Sequence, residues 1–474
     1  MSQPYQSQSQ PYQSHICQSH NSLRRWSGIW VVLGICFWGC NLEEMNSMPP
    51  LDAFYYPSSM SYIERPGSEE GILLVANANF DKRYGQGSLV AVDLSALGEG
   101  ALPAFGQKEE IPKHIRALNI RPENALKVSS FSGRMGLYSL PGGGTRFFLP
   151  SRSEGALLHV IDTDAPNADG VLNLRCFPKP EKNENDCTQT ALSLTANERT
   201  QTGLPRAPSP GFAVVSEGEV WLTHMNAADS PSGSTKNHVS YAVRLSATEP
   251  QLTNEGFIPI GLSPSDTALP LKNWVLLTGR GEAPALRMLS KTETGKIEDA
   301  GIESSLKINE GRDLALSSDG RHIFLLGRYP DMLLVLRLDE PANPSSPPFL
   351  QVVREIPLPE APNILHVLKR KGQGDDLVAI LSSGSSALSF YDQEAGILTG
   401  QLTSLGEGPF SMASSMRGEG ARLFIGNFSD GRIAVVDIVH LKRPQDAYVV
   451  AFLGKSQTCL IEGEDSAKCE EQGR

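Results

Sequence analysis

The apolar positions of this chain fall in short runs of Val, Ile, Leu and Phe, broken by turn residues, with 44 glycines and 33 prolines spread among them. Runs of this kind, bounded by Gly and Pro, predict many short strands joined by turns and few long helices. The clearest stretch is GPFSMASSMRGEGARLFIGNFSDGRIAVVDI, residues 408–438. It reads as a strand around 410–413, a Gly-rich turn, a strand over 422–426, an Asp430-Gly431 turn and a strand over 432–437. Two apolar runs separated by Asp-Gly are a strong hairpin signal.

This unit recurs. GRDLALSSDGRHIFLLGRYPDMLLVLRLD, at 311–339, is a second copy, and GILLVANANFDKRYGQGSLVAVDL, at 71–94, is a third. Residues 374–392 and 145–162 repeat the theme, and weaker copies run through GEVWLTHMN with HVSYAVRLS and through NWVLLTGRGEAPALRML. Seven units follow, centred near Val75, Leu149, Leu222, Leu276, Leu325, Ile380 and Ile425. Their spacing lies at or above the roughly 40 to 45 residues of a four-stranded propeller blade, the excess being insertions. The expected fold is all-β, a β-propeller of about seven four-stranded blades over 68–454, with six or eight still open. A pair of β-sandwiches also has short alternating strands but does not recur with an internal period.

The unit at 408–437, with its Leu-Phe-Ile-Gly-Asn strand, Asp-Gly turn and Ile-Ala-Val-Val-Asp strand, resembles the YVTN-type β-propeller repeats of bacterial surface and periplasmic proteins. Leu245 and Leu289 depart from the pattern, standing where the other units end their third strand in Asp. The run DAYVVAFLG, 446–454, reads as a lone strand that would complete the sheet of the first blade and remove an open edge.

The N-terminal stretch has a different character. Residues 1–22 are polar and repeat QPYQS, a composition with nothing from which to build a core. Arg24 and Arg25 then precede an apolar run from Trp26 to Trp38, too short for the roughly 20 residues a membrane-spanning helix needs. A positive segment followed by an h-region of this length describes a secretory signal. It ends in Gly39-Cys40, which resembles the lipobox of bacterial lipoproteins, although Phe37 and Trp38 depart from the usual Leu and small residue. The resemblance implies lipidation at Cys40, removal of 1–39, a tether over 40–67 and, from Asn41, an outer-membrane destination. An uncleaved anchor or a buried segment is the competing reading.

Composition narrows the partners. A net charge of -11 without a dense basic run argues against nucleic acid. Of seven cysteines, Cys17 and Cys36 fall in the leader and Cys40 would carry lipid, leaving Cys176, Cys187, Cys459 and Cys469. These form two close pairs in polar sequence without C-x₂-C spacing, which reads as two local disulfides in an oxidising compartment, with free thiols as the alternative. The tail at 455–474 carries the second pair.

Chemistry is sparse. The sequence holds no G-x-S-x-G elbow, H-E-x-x-H, P-loop or C-x-x-C-H. His114, His159, His224, His238, His322, His366 and His440 lack ligand spacing. Asn77, Asn79 and Asp81 alternate as cation ligands could, but read better as turn residues. No catalytic, cofactor or metal residue is assigned. The insertion at 164–209, with a shorter one at 226–237, is a candidate recognition surface or a plain decorated loop. The expectation is a non-enzymatic, lipid-anchored binding or interaction scaffold of the bacterial envelope, with a protein or glycan ligand on a propeller face. A lactonase-like hydrolase with its site at the central channel is the runner-up, and a structural part of an envelope assembly is a third possibility.

Overall fold

The computed structural model describes residues 47–153, 156–167, 171–194, 210–224, 240–260, 265–280, 284–292, 295–302, 305–339, 346–372 and 375–456. No helix among them is long and apolar enough to cross a membrane. The strands form seven antiparallel sheets that follow one another along the chain, the blades of a β-propeller. Blades 1 to 7 cover 57–128, 136–193, 210–259, 268–302, 310–357, 362–402 and 409–453. Blades 2 and 7 carry a fifth strand. All seven centres expected from the repeats lie on second strands, such as Ile72–Asn77, Glu219–His224 and Asp376–Ser382.

A second strand lies inside its sheet, and each face of the sheet meets a neighbouring blade. Both faces are therefore apolar, and the strand reads as a continuous run instead of an alternation. Ile72–Asn77 and Asp376–Ser382 are buried at every position, and their side chains divide between the clusters on either side. Leu73 and Val75 pack with Phe424 and Val435 of blade 7, whereas Ile72 and Leu74 pack with Phe147 and Leu149 of blade 2.

Ring closure differs from the expected arrangement. Strand Tyr448–Leu453 is the fourth strand of blade 7, paired with Ile433–Ile438, and does not enter blade 1. The reason is that blade 1 already takes four strands from its own stretch. Its inner strand, Pro57–Ile63, begins before the boundary expected at 68 and leaves no vacant position. The edge of blade 7 is covered from blade 1 instead. Lys113–Ile115, in the excursion between the third and fourth strands of blade 1, adds in parallel to Tyr448–Leu453, with Phe452 opposite His114. An exposed edge is thereby paired, which removes a template for aggregation.

The Asp that ends the third strand has a structural role that the repeats did not reveal. Asp437 and Arg422 are both fully buried, and the guanidinium donates from Nε and Nη2 to the two carboxylate oxygens at 2.7 and 2.9 Å. Arg422 then crosses to blade 1, reaching Glu70 at 2.7 Å and the carbonyl of Pro103 at 2.9 Å. Arg146 pairs with Asp162 and extends to the carbonyls of Ala247 and Thr248 in blade 3. Arg370 pairs with Asp392 and extends to the carbonyl of Leu441 in blade 7. Where Leu245 replaces the Asp in blade 3, Glu219 on the second strand takes over and accepts Lys291 of blade 4 at 2.9 Å.

The described part of the 164–209 insertion forms the outer edge of blade 2. Arg175–Phe177 and Leu192–Ser193 both pair with Leu157–Thr163, and Cys176 is bonded to Cys187. Residues 226–237, Cys459, Cys469 and the whole N-terminal stretch with Cys40 lie outside the described residues.

These clamps predict a contrast between two carboxylates. Asp437→Asn strands the buried Arg422 guanidinium, and the expected loss is about 3 to 5 kcal/mol, read as a large fall in the chemical-denaturation midpoint. Asp339→Asn removes an ion pair with Arg337 that is 44 to 48 % exposed, and is expected to cost under about 1 kcal/mol. Equal effects would show that the interblade clamp carries no special weight.

Candidate functional site at the channel mouth

In each blade the inner strand begins and the second strand ends on the same face of the ring, as their antiparallel pairing requires. The channel mouth on this face is shaped by a repeated irregularity. The ladder between inner and second strand slips by one residue between Pro57 and Ser59, Pro210 and Ala213, Gly311 and Asp313, Pro362 and Ile364, and Pro409 and Ser411. A bulge of this kind takes one residue out of the ladder and re-aims its side chain. Ser58, Arg312, Asn363 and Phe410 are the residues so displaced. A Pro or Gly precedes each displaced residue and is its signal in the sequence.

On the side of blades 7, 1 and 2 the mouth is aromatic. Phe410 lies 5.3 Å from Phe428, Phe428 5.4 Å from Phe80, and Phe80 5.2 Å from Phe131. Tyr56 packs on both Phe428 and Phe80. Tyr56, Asn79 and Phe131 take positive φ values of 47 to 58°, a left-handed backbone that turns these loops sharply. Phe80 keeps 49 % of its surface exposed. Asn77, the last residue of the second strand of blade 1, accepts the Tyr55 amide, and Asn79, in the loop that follows, donates to the Tyr84 carbonyl.

On the side of blades 4 and 5 the mouth is charged. Asp266, 2 % exposed, accepts Arg280 at 3.0 Å and faces Arg312 at 2.8 Å, and Arg312 also donates to Glu310 at 2.9 Å. Burial pushes the Asp266 carboxyl above its ordinary range, opposed by Arg312 and Arg280. Arg328 donates to the carbonyls of Pro362 and Ala361. Burial first, and then the neighbouring Arg312, lower its pKa. Arg152 is lowered in the same way by burial and Arg280, and its backbone amide bonds the Phe131 carbonyl at 3.2 Å. Arg152 thus joins the aromatic arc to the charged one.

The floor is an ion pair across the channel. Arg134 of blade 2 donates to Asp313 of blade 5 at 3.0 Å, with the guanidinium 5.6 Å from the Phe212 ring. Burial raises the Asp313 carboxyl, and Arg134 with the amides of Leu365 and Leu314 works against that. Nearby, His366 Nε2 and Ser414 Oγ lie 2.7 Å apart. His366 is half-buried, and burial with repulsion from Arg134 lowers its pKa to about 4.

Of the residues singled out from sequence, Asn79 lies in a mouth loop and His366 near the floor. Cys176 and Cys187 sit on the outer edge of blade 2, and Cys40, Cys459 and Cys469 lie outside the described residues. Among the described residues no His, Cys, Asp and Glu group has the geometry to hold a metal ion. Three open grooves among the described residues lie away from this mouth. One of about 440 Å³, between blades 6 and 7, is rimmed by exposed Lys369, Lys371 and Lys442, and the buried Arg370 beneath them is held by Asp392.

No family model and no curated protein matches this sequence. Solved structures do share its general form. Hydrazine synthase of Kuenenia stuttgartiensis is 10 % identical, with a TM-score of 0.48 over 81 % of this chain and 96 % of that one. A putative 6-phosphogluconolactonase from Bacteroides uniformis is 13 % identical, with a TM-score of 0.46 over 75 % and 87 %. The periplasmic gluconolactonase PpgL of Pseudomonas aeruginosa is 15 % identical, with a TM-score of 0.44 over 73 % and 84 %. The assignment of this chain as a seven-bladed propeller rests on its own seven sheets.

Two buried imidazoles, His159 and His224, and the half-buried His366 make the fold sensitive to acid. His159 accepts the Ser129 amide at Nε2, so its Nδ1 carries the proton that meets the Cys187 carbonyl, and the ring must be neutral. Burial lowers His159 and His224, like His366, to about 4 from 6.5. The unfolded chain binds these protons first, so stability is complete above pH 6.5 and falls as pH drops toward 4. A thermal melting series from pH 7 to 4 should show a steep fall, and His159→Gln, though less stable at pH 7, should show a shallower one. A melting temperature flat across that interval would contradict the assignment.

Proposed function

We propose that this chain is an envelope lipoprotein, tethered through Cys40 at the outer membrane, whose propeller binds a ligand at the channel mouth without transforming it. The observation that supports a binding role is the mouth itself. Aromatic rings and guanidiniums are gathered around one opening, and Arg134 pairs with Asp313 across the channel beneath it. The raised carboxyls of Asp266 and Asp313 are each held by arginine, so their perturbation belongs to a charge network and not to a free acid or base. The segment that would lead from the lipid enters the propeller at this face, where Tyr55 and Tyr56 precede the inner strand of blade 1.

One contact favours the hydrolase reading. Ser414 and His366 at 2.7 Å have the spacing of a nucleophile and its base. A base with a pKa of about 4 is, however, a weak acceptor for a serine proton at neutral pH. No carboxylate bonds the other ring nitrogen among the described contacts.

Two measurements test these readings. Wild type grown with labelled palmitate should carry the label and Cys40→Ala should not, and an unlabelled wild type would remove the anchor. Cross-linking on intact cells should capture a partner or ligand that a mouth variant, Phe80→Ser, captures less. Turnover of a lactone or ester panel that Ser414→Ala abolishes would replace binding by hydrolysis.

A further inference from the structure

We infer that the groove between blades 6 and 7 is a second binding site, independent of the mouth, and that it takes a small molecule bearing a phosphate group. The inner strands of these two blades begin at the mouth and end beside the groove, at Lys369 and Arg417, so the groove lies at the other end of the blades. Its volume of about 440 Å³ is that of a small-molecule site.

Three observations carry the assignment. The first is charge held at close quarters. Lys369, Lys371, Lys442 and Arg443 line this one groove and are all exposed, and among the described residues none of them has a carboxylate within ion-pair distance. Residues 373 and 374, which lie outside the described residues, are Gln and Gly and carry no charge. Cations gathered at one cleft repel each other, and the cleft focuses their field on an entering anion. Glu419 supplies the one carboxylate among the described lining residues, and it is 86 % exposed and faces the His440 ring at 3.7 Å.

The second observation is that the rim is already held in place. Arg370, buried beneath it, donates to both oxygens of Asp392 and, at 2.9 Å, to the carbonyl of Leu441. The Leu441 amide donates to the Glu419 carbonyl at 3.0 Å, and the Arg443 amide to the His440 carbonyl at 2.9 Å. The backbone that carries Lys442 and Arg443 is therefore pinned before a ligand arrives, which lowers the ordering cost of binding. The Arg370 charge is matched by Asp392, so the rim cations are the ones left for a ligand. The third observation is the kind of donor. Lys369, Lys371 and Lys442 offer ammonium groups, compact point charges that suit a tetrahedral, multiply charged phosphate, whereas a planar carboxylate is better met by paired guanidinium donors.

A soluble phosphate ester and a phospholipid headgroup offer this same chemistry, and calorimetric titration of the full chain in detergent distinguishes them. Glucose 6-phosphate and dioctanoyl phosphatidic acid serve as the phosphates, glucose and dioctanoyl phosphatidylcholine as counterparts without net charge, and glucuronate as the sugar carboxylate. At least one phosphate should bind about tenfold more tightly than its counterpart and than glucuronate. Tighter binding of phosphatidic acid identifies a lipid headgroup, tighter binding of glucose 6-phosphate a soluble ester, and either supports the inference. The double variant Lys371→Gln, Lys442→Gln, exposed and with unchanged melting temperature, should weaken binding by about fivefold or more. Glu419→Gln, which removes the repelling carboxylate, should tighten it by about two- to fivefold. Phe80→Ser at the mouth should leave it unchanged. No binding of either phosphate, glucuronate bound as tightly as both, binding insensitive to the double variant, or loss of binding in Phe80→Ser would each overturn the inference. Capture at the mouth is read separately through Phe80, so either site can fail while the other stands.

Discussion

The structure depends on how blade 7 is held to blade 1, because a ring of sheets that fails to close at that joint presents two open faces of apolar side chains. Arg422 and Asp437 meet this need from inside the protein. Both are fully buried, and the guanidinium uses its remaining donors on Glu70 and the Pro103 carbonyl of the first blade. Buried charges are expensive to desolvate, so such a pair adds little stability over a well-packed apolar substitute. What it adds is direction. A guanidinium with four satisfied acceptors fixes the angle between two sheets, whereas Phe424 and Val435 against Leu73 and Val75 would tolerate a slide. The parallel strand at 113–115 then covers the edge that remains.

The same device explains why the repeat was visible and where it faded. The Asp at the end of a third strand is conspicuous in sequence because it recurs in five blades, and in three of them, at Asp162, Asp392 and Asp437, it holds an arginine that reaches the next blade. Blades 3 and 4 lack it, and there Glu219 and Lys291 form the joint from different positions. The centres of all seven units could be located because a second strand, covered on both faces, must be a continuous apolar run. The order of closure could not be read. A terminal strand such as 448–453 has the same pattern whether it completes the first sheet or the last, and the outcome depends on whether Pro57–Ile63 already occupies the inner position. That strand, PSSMSYI, is half small and polar and gave no apolar run to find.

The mouth was less legible still, for a physical reason. Its members are not neighbours in sequence: Phe80, Arg152, Arg280 and Phe428 come from four second-to-third-strand loops, and each alone looks like a turn residue. Arg312 and Phe410 are directed there by bulges whose signal is only a preceding Gly or Pro. The Arg134 to Asp313 pair joins residues 179 positions apart. Periodicity reports what repeats from blade to blade, and a binding site on a propeller is the part that does not.

The distribution of charge around the channel also determines what kind of site this can be. Arg134, Asp313, Asp266 and Arg312 come from inner strands or the residues just before them, in three blades that their own ion pairs tie together. Moving any one of them would leave a charge buried without its partner, at a cost of several kcal/mol. The floor and the charged arc therefore form a preorganised surface and not a hinge. Such a surface presents its donors with little reorganisation on binding. The rigidity that closes the ring and the chemistry available at its mouth are two results of one network.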